Sequence, residues 1–209
     1  MAVITISRQF GAGGRTLGKM IADKMNYTFL EDLVIKEIAK QARVSKETVI
    51  SIERTAGGAL SRFLSSFVSS NYIERLTGEE RGYIDENIYV DVLYEVVRKL
   101  AAKDNVVLMG RGGQYILNEV PNVYHILLIA SDKDRIKFMQ RYYKLSDKDA
   151  KAAVLKGDRR RANLYQKMGK RYYNDPRLYH LVINMHVVPL ETARDLVCDL
   201  VTSTAVMPE

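Results

Sequence analysis

Apolar residues along this 209-residue chain follow two alternating patterns. Short runs with few polar positions stand at 2–7, 27–30, 106–109, 124–130 and 181–184, and they read as strands covered on both faces. Between them, apolar positions three or four residues apart mark helices over 16–25, 33–42, 88–102, 133–143, 147–167 and 190–201. Pro189 with Glu191 reads as the opening of the last helix. This alternation predicts an α/β fold in which a parallel sheet lies between helices on both faces. Residues 45–85 break the rhythm. They are rich in Ser, contain Gly57-Gly58, and read as helices inserted between the second and third strands. Their apolar run at 59–64 is expected to pack in the core. A dimer contact is its alternative, so monomer and homodimer both stay open.

Composition changes this picture little, but charge changes it more. Cys198 is the single cysteine, which leaves no intrachain disulfide and no cysteine-based metal site. The N-terminus runs straight into a strand, and no apolar run approaches the length of a membrane span. A cytoplasmic protein without a membrane partner is the expectation. The formal net charge is +7, yet residues 135–171 hold thirteen Lys and Arg against three Asp, a local balance of +10. The rest of the chain is therefore slightly acidic. A basic segment so concentrated implies an anionic partner, a polyphosphate or a nucleic acid, unless it is only the solvated face of a long helix. Tyr142, Tyr143, Tyr165, Tyr172 and Tyr173 interleave with it, but no stacking motif of a nucleic-acid reader accompanies them. Nucleic acid is therefore not the expected partner.

The chemistry concentrates where strands run into glycine. After the first strand comes Arg8-Gln9-Phe10-Gly11-Ala12-Gly13-Gly14-Arg15-Thr16, with a helix following. A strand, a Gly-rich turn and a helix N-terminus together present backbone N–H groups and a favourable dipole to a phosphate. Against the pattern G-x-x-x-x-G-K-[ST], Gly14 and Thr16 match, Gln9 stands in the first glycine slot, and Arg15 stands in the lysine slot. Glu31 and Asp32 follow the second strand, where a carboxylate can hold Mg²⁺ through water or accept a substrate hydrogen bond. A helix cap is the plainer role for either acid. Met109-Gly110-Arg111-Gly112-Gly113 follows the third strand, with Arg111 set to fork onto phosphate or, more simply, to sit in a tight surface turn. Asp158-Arg159-Arg160-Arg161 lies inside the long basic helix. Neighbours there are about 100° apart, so at most two of the three arginines can face one ligand.

In this order the motifs resemble the cytidylate kinase-like family, relatives of bacterial cytidylate kinases among the nucleoside monophosphate kinases. The Phe-Leu-Glu-Asp, Val-Val-Leu-Met-Gly-Arg-Gly and Ile-Leu-Leu-Ile-Ala-Ser-Asp-Lys-Asp-Arg-Ile runs carry the likeness over nearly the whole chain. The resemblance implies a three-layer P-loop NTPase fold with a five-stranded parallel sheet. It makes the chain one domain, with a core of 1–44, 86–145 and 176–209, a monophosphate-binding insertion at 45–85 and an Arg-rich lid at 146–175. It implies ATP as phosphoryl donor, Mg²⁺ as cofactor, small nucleotides as partners and CMP or dCMP as acceptor. Gly11, Ala12, Gly13, Gly14, Arg15 and Thr16 would form the phosphate loop, with Thr16 on Mg²⁺. Arg15 and the lid arginines Arg159, Arg160 and Arg161 would be catalytic, and Glu31, Asp32, Arg111 and Arg135 would serve the acceptor. The family's Gly-Arg-Asp turn has Gly112 in place of its Asp. Two other outcomes stay open: a non-catalytic nucleotide-binding regulator, and a kinase for another small acceptor.

Overall fold

The computed structural model describes residues 2–54, 84–170 and 172–204, so the apolar run at 59–64 lies outside the described residues. Five strands, β1 (Val3–Arg8), β2 (Thr28–Leu30), β3 (Val106–Met109), β4 (Val123–Ile129) and β5 (Leu181–Asn184), form one sheet in the order β2-β3-β1-β4-β5. Every pairing is parallel, with Ile6 of β1 opposite Met109 on one side and Ile126 on the other. The central strand β1 alternates its loyalties. Ile4 and Ile6 join a core with Leu17, Ile21, Ala193 and Val197, whereas Val3 joins Val34, Leu93, Val97 and Tyr165 on the opposite face.

Helices α1 (Gly14–Met25) and α8 (Leu190–Thr204) cover the first face. Helices α2 (Asp32–Gln41), α3 (Lys46–Arg54), α4 (Glu86–Ala101) and the one-turn α5 (Gly113–Ile116) build the second. Two basic helices, α6 (Asp132–Tyr143) and α7 (Asp147–Lys167), pack on each other near the C-terminal ends of the strands. Side chains start some of these helices. Asp85 accepts from the Ile88 N–H at 2.9 Å, Ser131 from Asp134 at 3.3 Å and Ser146 from Asp149 at 3.1 Å. Helix α1 differs: Gly13 is its N-cap, no side chain caps it, and its first turn holds no acid. Among the described residues, no helix is long and apolar enough to cross a membrane.

Because all strands run parallel, the turns after β1, β2 and β3 open on the same sheet edge, next to the central strand where the connections diverge. Ligands of open α/β sheets bind at that position. The strands lie within a residue or two of their expected bounds, and the six expected helices are present. Helix α3 falls in the 45–85 segment read as inserted helices, and the short α5 is additional.

Candidate active site

The turn after β1 is built to leave amides unpaired. Gly11 and Gly13 sit at φ 85° and 75°, a left-handed conformation that glycine adopts without strain. The Gln9 N–H bonds to the Leu128 carbonyl at 3.0 Å and the Ala12 N–H to the Gln9 carbonyl at 3.2 Å. Among the described residues, the N–H groups of Gly11, Gly13, Gly14, Arg15 and Thr16 have no partner. With no cap and no acid at its start, α1 offers those amides and its dipole to an anion. Ala12 contributes a buried methyl group instead of an open amide.

Glu31 holds the N-cap position of α2, but its side chain makes no capping bond; its carboxylate lies 3.6 Å from Arg8 Nη2, and its Oε2 lies 2.8 Å from Arg15 Nε. The latter contact is an ion pair without hydrogen-bond alignment, so Oε2 is buried with no donor pointed at it. Arg15 extends across from α1, 48 % exposed, with Nη2 3.8 Å from the exposed Asp32. Burial, together with the nearby charge of Arg161, pushes Arg8 down to about 9, even though Glu31 opposes the shift.

The turn after β3 holds three left-handed residues in a row, Gly110, Arg111 and Gly112, at φ 71°, 52° and 74°. Such backbone in a non-glycine residue persists where surrounding contacts impose it. Those contacts are visible here. Arg111 Nε donates to Glu53 Oε1 at 3.0 Å, and its Nη1 donates to the Glu31 carbonyl at 3.0 Å. A Cβ at position 112 would meet the flexible end of the Met168 side chain, just past α7, which would have to move.

Helix α7 distributes its three arginines in three directions, as the 100° step requires. Arg160 pairs with Glu53. Arg161 lies 3.4 Å from Asp158, with its guanidinium 5.9 Å from the centre of the Phe10 ring. Arg159 is exposed and has no partner among the described residues. All three nonetheless border one cavity of about 840 Å³, together with Arg8, Glu31, Glu53 and Arg111. Asp158 fastens the glycine-rich loop to α7 by accepting from the Phe10 N–H at 3.1 Å and from Arg135 at 2.6 Å.

Arg135 departs from its expected place at the acceptor. Its guanidinium also donates to the Phe10 carbonyl at 3.0 Å and to Asp132 at 2.5 Å, and it does not border the cavity. The start of α6 lies so close to the loop that a Cβ on Gly11 would sit 2.9 Å from the Arg135 carbonyl. Arg135 therefore clamps the loop. Arg8 and Glu53 are the residues without an assigned role in the sequence that the structure adds to the site. Arg8 is visible as the last residue of a strand opening into glycine. Glu53 leaves only a weak signal, an acid four residues after Val49 on the buried face of a helix.

A profile of the cytidylate kinase-like family matches residues 3–187. Among solved structures, an uncharacterized protein from Eubacterium ventriosum aligns with a TM-score of 0.65 at 20% identity, covering 97% of this chain and 98% of that one. Shikimate kinase from Acinetobacter baumannii, in complex with shikimate, aligns at 0.51 and 14% identity, covering 99% and 96%. A gluconokinase from Sinorhizobium meliloti 1021 aligns at 0.50 and 13% identity, covering 98% and 93%. At these identities the likeness is one of fold, that of P-loop kinases. No curated protein matches the chain.

Proposed function

The chain belongs to the cytidylate kinase-like family, and we propose that it transfers the γ-phosphoryl group of ATP to a nucleoside monophosphate, CMP or dCMP foremost. One observation carries this reading: an uncapped loop of unpartnered amides lies beside an arginine-lined cavity at the same sheet edge. The loop suits the phosphates of the donor and the cavity suits an anionic acceptor.

The open amides of Gly11, Gly13, Gly14, Arg15 and Thr16 hold the β- and γ-phosphates. Arg15, on the same helix start, swings from Glu31 to the donor phosphates once they arrive. Mg²⁺ fits these residues. The Thr16 hydroxyl has no partner among the described residues, and they contain no cluster of three or more His, Cys, Asp or Glu that would cage an ion. Such a site suits an ion brought in on nucleotide phosphates. When bound, Mg²⁺ offsets the charge on the β- and γ-oxygens. Arg111 and Arg160 take the acceptor phosphate, and exposed Arg159 covers the transferring group from the cavity rim. A phosphate acceptor is already ionised at neutral pH, so positioning and charge neutralisation suffice without a general base. Small nucleotides are the expected partners. Arg135, Arg160 and Arg161 are turned inward onto Asp158 and Glu53, whereas most other Lys and Arg of α6 and α7 are exposed.

Glu31 favours one second reading, a kinase with a hydroxyl acceptor. Its buried Oε2 has no aligned donor, and a carboxylate at that edge could take the proton of an attacking hydroxyl. Coupled ADP release with ATP·Mg²⁺ separates these readings, run against CMP, dCMP, UMP, AMP, GMP, shikimate and gluconate. Stimulation by CMP or dCMP is expected. Stimulation by a hydroxyl acceptor alone would favour the second reading, and ATP binding without any stimulation would leave a nucleotide-binding regulator.

A further inference from the structure

Glu53, the penultimate residue of α3, is among the most buried charged groups of the described residues, 2 % exposed, and three donors converge on it. Tyr89 donates its hydroxyl to Oε1 at 2.9 Å, Arg111 donates Nε to the same oxygen at 3.0 Å, and Arg160 donates Nη2 to Oε2. Burial alone would push this carboxyl up, but the two guanidiniums outweigh it and hold it below the usual carboxylate range. A buried carboxylate needs one cation to be compensated. This one has two, which leaves a local surplus of positive charge on the cavity wall.

Both guanidiniums keep donors in reserve. Arg111 has its Nη1 on the Glu31 carbonyl, while its Nη2 and the remaining donors of Arg160 have no partner among the described residues. Without the shared carboxylate, two like charges so close would separate toward solvent. The neighbouring contacts fix the direction of Arg160 as well. Asn163 donates to the Arg54 carbonyl at 3.2 Å, and Lys167 donates to the Ile52 carbonyl. Arg160, Asn163 and Lys167 are three and four residues apart, so one face of α7 rests on the last turn of α3. Cations are favoured at that C-terminal end.

We propose that Glu53 is the positioning residue of the acceptor site: one carboxylate shared by Arg111 and Arg160 holds their remaining N–H groups as a single fork for a phosphate group. The proposal rests on the acceptor half of the phosphoryl-transfer reading and adds the residue that shapes it. The fork's ligand is a phosphate oxyanion, whether as free phosphate or as the monoester of a nucleotide.

The test is a titration of the full chain with inorganic phosphate and, separately, with CMP. It is followed through the ¹⁵N resonances of the arginine side chains and of the loop amides at 11–16. In the wild type, the Arg111 and Arg160 resonances are expected to move together at one affinity. Glu53→Gln offers a single acceptor oxygen and turns its NH₂ toward a donor, so affinity at these two resonances should fall about tenfold or more. Phosphate affinity at the loop amides should stay as in the wild type. Glu53→Asp keeps the charge but not the reach and should fall between the two; it also serves if Glu53→Gln does not fold. Wild-type arginine resonances that ignore phosphate would overturn the proposal, as would equal affinity in a folded Glu53 variant. If free phosphate binds as described but no monophosphate is turned over, the kinase reading fails and the fork stands.

Discussion

At residue scale, the site works by setting backbone and charge against each other in a small volume. Gly112 shows this best. Its φ of 74° is left-handed, and an added Cβ would meet the flexible end of the Met168 side chain, which must move to admit the Asp that the family's turn carries. Gly112→Asp is therefore expected to lower unfolding free energy by about 1–3 kcal/mol, through overpacking and left-handed strain. Adding Met168→Ala should return part of that loss in a denaturant titration. If the single variant is as stable as the wild type, Met168 does not fill the space. The two glycine turns were legible beforehand, because Gly11 to Thr16 and Arg111 follow strands and carry recognisable turn chemistry. Glu53 was not. An acid near a helix end reads as solvated until the arginines of two distant segments, Arg111 and Arg160, are brought to it. The contacts of Arg135 were not legible for a related reason: spacing located its backbone but not the carboxylates of Asp132 and Asp158 that pair with its side chain.

At the scale of elements, α7 decides how closed the site is. It meets the phosphate loop through Asp158 and through Gly157, where a Cβ would collide with the Phe10 ring. It meets α3 through Arg160, Asn163 and Lys167. Gly157→Ala should push the helix off the loop even though alanine suits a helix interior better than glycine. A net loss of about 1–3 kcal/mol on chemical denaturation is expected, where propensity alone would give a small gain. A gain would mean that α7 does not press on Phe10. Hydrophobic period sufficed to locate the strands and main helices, since their faces are buried in two large cores and a smaller third. It could not find α5, which is a single turn opened by glycine, or assign a partner to each arginine of α7. Those assignments depend on which element lies opposite each face of α7, and no local pattern records that.

At the scale of the molecule, a buried histidine couples stability to pH. His125 lies in the sheet with its ring 2.7 Å from the Thr5 hydroxyl and 5.4 Å from the His180 ring. Burial, aided by His180, pushes it down to about 4 from an ordinary 6.5. The unfolded chain thus takes up a proton near 6.5 that the folded chain resists until about 4. Its contribution to stability is complete above 6.5, declines as pH falls through that interval, and loses nothing more below 4. The total is on the order of 3 kcal/mol. Unfolding free energy measured from pH 7 to pH 4 should show this slope, and His125→Gln should flatten it; an unchanged slope would assign it to other groups. The central claim, phosphoryl transfer to a monophosphate, is a matter of product. The most direct measurement follows label from γ-³²P-ATP·Mg²⁺ in the presence of CMP. Labelled CDP, formed in step with ADP, is the expected result. Label recovered only as inorganic phosphate, or ATP bound and unchanged, would contradict it.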